Sequence, residues 1–98
     1  MLLAHAVTLA EARSFVAALA DAAQTTDASI EYDRVLLQID FIHGDDIPGI
    51  SPTPSTERDV LFEVAESAIE DLAKHGVDSM TVELVLDMLY AARDLDAP

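Results

Sequence analysis

Apolar residues recur every three or four positions along most of this chain, and that spacing predicts helices. Leu9, Ala12, Phe15, Val16, Leu19, Ala22 and Ala23 fall on one face. Thr8-Leu9-Ala10-Glu11 just ahead of them reads as a capping box, so a first helix is expected to open at Thr8 and fade at Thr25-Thr26. Residues 30–42 carry two patterns. As a helix they gather Tyr32, Val35, Leu36, Ile39 and Ile42; as a strand, Val35, Leu37, Ile39 and Phe41 alternate with Leu36, Gln38 and Asp40. Asp27 as N-cap and the length of the segment favour the helix. The strand needs a partner, and only residues 2–7 offer one. An α+β fold with a short strand pair at 2–7 and 35–41 is therefore the alternative.

A third helix is expected to open at Pro54-Ser55, with Glu57 and Asp59 in its first turn, and to close at His75-Gly76. Acidic groups suit the positive end of the helix dipole, and Gly suits the left-handed residue that ends a helix. Its apolar stripe is Val60, Leu61, Val64, Ala65, Ala68, Ile69 and Leu72. A fourth helix should start on Asp78 as N-cap and run to about Asp94. Met80, Val82, Leu84, Val85, Leu86, Met88, Leu89 and Ala92 wrap most of it, and Glu83, Asp87 and Asp94 leave only a narrow polar stripe. A helix apolar nearly all round is buried on several sides. It is then either the centre of the domain or part of an interface. Between the second and third helices, residues 43–54 hold Gly44, Pro48, Gly49, Pro52 and Pro54, which forbid regular structure. The reading is an all-α fold, a small bundle of about four helices, in one domain spanning 1–98 with an irregular loop at 43–54.

Charge and composition narrow the function. The net charge is −14, from 19 acidic and 5 basic residues. Binding nucleic acid or an anionic membrane needs clustered cations, so neither is expected as a partner. A basic protein partner is favoured instead. Cysteine is absent, which removes disulfides and thiolate chemistry and agrees with a cytoplasmic location. The opening residues 1–7 lack the Lys or Arg of a signal peptide, and no apolar run reaches the length of a membrane span.

Candidate chemistry is sparse. Asp59, Glu63, Glu66 and Glu70 recur at four, three and four residues and so form an acidic stripe on the third helix. Like charges at that spacing repel, and only Glu70 has a helpful partner, Lys74 at i+4. The stripe is either a solvated face or a surface for a basic partner. His43-Gly44-Asp45-Asp46 gathers metal-ligating groups but reads as a polar turn, since one short cluster lacks a full ligand set. His5 and His75 stand alone in the sequence. Nucleophile elbows, phosphate-cradling glycine loops and His-Glu-x-x-His spacings are absent, so no enzyme, cofactor or metal is expected.

Gly76-Val77-Asp78-Ser79-Met80, followed by Thr81-Val82-Glu83-Leu84-Val85-Leu86, resembles the attachment motif of acyl carrier proteins, and Glu70-Asp71-Leu72 adds to the likeness. The resemblance implies phosphopantetheine on Ser79 and an acidic helix face that docks basic enzymes. Read from the residues themselves, the chain is expected to be a small acidic protein-binding module, of adaptor, inhibitor, antitoxin or immunity type, that meets a basic partner through Asp59, Glu63, Glu66 and Glu70. A homodimer through Leu84, Val85, Met88 and Leu89 is the second expectation, and a carrier modified on Ser79 is the third.

Overall fold

A computed structural model describes residues 1–96. It contains α1 (Leu3–Ala22), α2 (Thr26–His43), α3 (Arg58–Asp71), a 3-10 turn (Leu72–His75) and α4 (Ser79–Asp96). No strand occurs among the described residues, so the fold is all-α, and residues 2–7 and 35–41 are helical rather than paired strands.

The helix ends show which local signals won. α1 begins at Leu3, a turn and a half before Thr8. The Thr8 hydroxyl donates instead to the Ala4 carbonyl (3.1 Å), satisfying itself inside the helix. Ala4, Ala6 and their neighbours are adequate helix formers, so nothing halts the helix at the apparent capping box. α2 is capped by Thr25, whose Oγ1 accepts from the Ala28 amide (3.1 Å), and Asp27 lies in its first turn. α3 starts at Arg58, later than Pro54-Ser55 implied. Ser55 is used in the approach instead, its Oγ accepting from the Glu57 amide. The 3-10 turn ends on Gly76 at φ +95°, the left-handed conformation that asks for glycine. Asp78 caps α4 through Oδ2 and the Thr81 amide (3.2 Å), as its position predicts.

The four helices stand at the corners of a square. α1 packs on α2 and α3; α4 packs on α2 and, more sparingly, on α3; the diagonal pairs do not touch. α1 runs antiparallel to α2, since His5 meets His43 at one end and the Ser29 hydroxyl donates to the Ala20 carbonyl at the other. Thr8 meets His75, and Thr25 meets Leu95, which fixes α3 and α4. The order is up, down, down, up. Two successive parallel helices cannot be joined by a tight turn. α2 is about 27 Å long at ~1.5 Å per residue, and residues 44–57 travel that length. The prolines keep this crossover extended, and α1 holds it: the Pro48 carbonyl accepts from Arg13, and the Ser51 amide donates to Ser14 Oγ (3.0 Å). Arg13 also grips Asp40 of α2 with two bonds (2.7 and 3.2 Å).

Leu9, Val16 and Leu19 of α1, Tyr32, Val35 and Ile39 of α2, Leu61 and Ile69 of α3, and Val85 and Leu89 of α4 fill the core. α1 touches two helices along its length and is more central than α4. α1 is also long and apolar enough to cross a membrane by length and composition, which the sequence reading did not expect. Leu9, Ala12, Val16 and Leu19 of this helix are buried against the other helices.

Candidate functional site

The acidic stripe lies on the seam where α3 meets α4 most loosely. Asp59, Glu63 and Glu66 line a cleft of about 530 Å³ there, floored by Leu19, Tyr32 and Phe62. Glu70 continues the stripe beyond it and is exposed. Asp59 and Glu63 are exposed and make no ion pair among the described residues. Glu66 is different: its Oε2 accepts from the Tyr90 hydroxyl, 2.5 Å away, which ties α3 to α4. That bond holds the Tyr90 proton and raises its pKa. Lys74 pairs with Asp71 (3.0 Å) rather than with Glu70.

Two guanidiniums enter the same cleft. Arg58 donates to Asp96 Oδ2 (3.0 Å). Arg93 lies over the rings of Phe62 (4.6 Å) and Tyr90 (5.3 Å), a cation–π arrangement, and forms no ion pair among the described residues. Beneath them Tyr32 is 1% exposed. Burial first, and then the Asp96 carboxylate, push its pKa up to about 12. Four carboxylates against two guanidiniums leave the cleft net negative. No sequence rule pointed to Arg58, Arg93, Tyr32 or Asp96 as neighbours, because they come from three helices.

The residues expected to mediate self-association divide. Val85 and Leu89 are 2% and 0% exposed and belong to this chain's own core, so they are not available to a second chain. Leu84 is exposed and Met88 half-buried. The apolar surface of this side is completed by α2: Leu37 and Phe41 are 67% and 83% exposed, and they share a shallow depression with Met88. Met80, one turn before Leu84, is exposed as well.

Ser79 is the first residue of α4 and exposed, directly after the Asp78 cap. His5 and His75, isolated in sequence, come together with His43 where α1 begins and α2 and the 3-10 turn end. Compared with family models, curated proteins and solved structures, the chain finds no match in any of the three.

Proposed function

We propose that this chain is a non-enzymatic protein-binding module whose α3–α4 cleft receives basic side chains of a protein partner. The observation that supports it is the position of the acidic stripe. Asp59 and Glu63 stand on the rim of a concave site with an aromatic floor, with no ion-pair partner among the described residues. A Lys or Arg from a partner could bring its charge to these carboxylates at the rim, beside the Phe62 ring that Arg93 covers. The chain's large negative charge would speed such an encounter and make it sensitive to salt. Glu66 and Asp96, already committed to Tyr90 and Arg58, would hold the cleft open in one shape.

The test is capture from lysate of the source organism with the wild-type chain and with Asp59→Lys/Glu63→Lys. A basic protein retained at low salt, released at moderate salt and lost by the double variant is the expected result. A partner that binds both chains equally, indifferent to salt, would refute the reading.

A second reading has its own support in the exposed apolar side formed by Leu37, Phe41, Met80 and Leu84. Two copies could bury these faces against each other. Sedimentation of wild-type chain and Phe41→Ser/Leu84→Ser tests it: a dimer that the double variant abolishes supports it, and a monomer at high concentration ends it.

A further inference from the structure

The chain has three histidines, and all three meet at one end of the bundle. His5 sits in the first turn of α1, His43 is the last residue of α2, and His75 ends the 3-10 turn. All are half-buried, so each ring is positioned by packing yet reachable from solvent. None of this was legible in a sequence that spaces them 38 and 32 residues apart.

Hydrogen bonding assigns the protons. His43 Nδ1 lies 2.7 Å from the Ile39 carbonyl, which can only accept, so Nδ1 carries a hydrogen. In the neutral ring its Nε2 then has a free lone pair. His5 Nε2 stands 3.1 Å from that Nε2 and is the donor to it. The Thr8 hydroxyl gives its proton to the Ala4 carbonyl, so the contact of 3.3 Å to His75 is an Nε2–H donating to Thr8 Oγ1. His75 therefore stacks on His5 (ring centroids 5.3 Å apart) with its Nε2 already used.

From this geometry we infer that His5 and His43 form a two-imidazole site for a divalent transition metal ion such as Zn²⁺, Ni²⁺ or Cu²⁺. The hydrogen that His5 Nε2 donates to His43 Nε2 stands where the metal would go; on binding it leaves to solvent, and His5 takes up its hydrogen on Nδ1 as the other neutral tautomer. With metal–nitrogen bonds of ~2.0–2.1 Å, two nitrogens at a tetrahedral angle lie about 3.3 Å apart, close to the separation already present. The rings have to turn so that both lone pairs aim at one point, a change in soft terminal torsions. A backbone carbonyl on the far nitrogen, here Ile39, is the usual way a metal-binding histidine is oriented. Among the described residues no group of three or more ligating side chains is set to hold an ion, so water completes the coordination. His75 screens one side of His5 and does not ligate. The affinity is expected to be higher for Cu²⁺ than for Zn²⁺ or Ni²⁺.

This site is separate from the α3–α4 cleft and stands or falls independently of the partner-binding reading. The test is calorimetric titration of the full chain with Zn²⁺ at neutral pH, with excess Mg²⁺ present to occupy the many surface carboxylates. One equivalent of Zn²⁺ is expected to bind. His5→Gln and His43→Gln should each weaken it by roughly tenfold or more, and His75→Gln should leave it nearly unchanged. Circular dichroism of the metal-free proteins checks that both variants keep the fold. Absence of saturable binding, or binding that persists in His5→Gln and His43→Gln, overturns the inference, as does a requirement for His75 alone.

Discussion

Asp96 is one of only two polar or charged residues buried among those described, and its removal is the sharpest test of how the bundle is closed. Its carboxylate joins three elements. Oδ1 accepts from the Gln24 amide (2.7 Å) just after α1, and Oδ2 accepts from Arg58 Nη1 (3.0 Å) at the start of α3. Asp96 itself ends α4 and lies above Tyr32 of α2. Asp96→Ala removes two hydrogen bonds to a charged acceptor, each worth ~1.5–3 kcal/mol in a buried setting. Two facts reduce the sum. The Arg58 side chain is 35% exposed, so water takes up part of its lost pairing. Gln24 is exposed, so its amide can also turn to water. The expected loss is about 2–3 kcal/mol, a large part of the ~5–15 kcal/mol that holds a domain together.

Urea unfolding measures it. With a slope of ~1–1.5 kcal/mol/M for a chain this size, the midpoint should fall by about 2 M. Asp96→Asn keeps a neutral acceptor for the Gln24 amide and should lose roughly half as much. A double-mutant cycle with Arg58→Met isolates the ion pair, expected to couple by about 1 kcal/mol. Asp96→Ala within ~0.5 kcal/mol of wild type would refute the reasoning, because that is the range of surface substitutions. Equal losses for Asn and Ala would refute it differently, by showing that charge is the whole effect and the amide bond none of it.

Three further predictions follow from the same structure. Tyr32 has its folded pKa raised from 10 to about 12, so it favours the folded state below pH 10 and loses that contribution as pH rises from 10 towards 12; Tyr32→Phe should flatten this part of the alkaline limb in thermal melts. His5 has its folded pKa lowered, so its contribution is complete above pH 6.5 and is lost as pH falls below it; His5→Gln should lessen the loss of stability just under pH 6.5, before the carboxylates titrate. Ser79 offers an exposed hydroxyl at a helix start, yet the binding-module reading gives it no chemistry; coexpression with a phosphopantetheinyl transferase should leave the intact mass unchanged, and a gain of one phosphopantetheine would move the carrier reading ahead.

The helices were legible because their burial follows a local rule. Tyr32, Val35 and Ile39 of α2 and Val82, Val85 and Leu89 of α4 are buried with the same three-and-four spacing, which any sequence window displays. Helix starts were less legible. Thr8 carries the same capping signature whether it opens a helix or bonds back to Ala4 within one, and the decision rests on what precedes it. For α4, the count of apolar residues gave the helix but not which of its faces the rest of the chain covers. Val85 and Leu89 are inside, whereas Met80 and Leu84 lie outside beside an exposed strip of α2. Periodicity cannot tell one chain's core from a surface that happens to be apolar.

The sites were illegible for a topological reason. A chain folded up, down, down, up returns to the same end of the bundle at residues 5, 43 and 75, and to the other end at 24, 58 and 96. The first set collects all the histidines; the second collects Arg58, Asp96 and the buried Tyr32. What creates both sets is the parallel placement of α2 and α3, and that placement depends on the crossover at 44–57. The crossover in turn is held by Arg13 and Ser14, two polar residues of α1 that the hydrophobic pattern passes over. Arg13 meets Asp40 and the Pro48 carbonyl together, so it fixes α2 and the crossover against α1 at once. Had a tight turn joined α2 to α3, α3 would run the other way, His75 would leave His5, and Arg58 would leave Asp96. The same side chains would then form neither the imidazole pair's stacked neighbour nor the acidic cleft. The meeting of His75 with His5 and of Arg58 with Asp96 therefore depends on the crossover's path, which Arg13 and Ser14 help to hold.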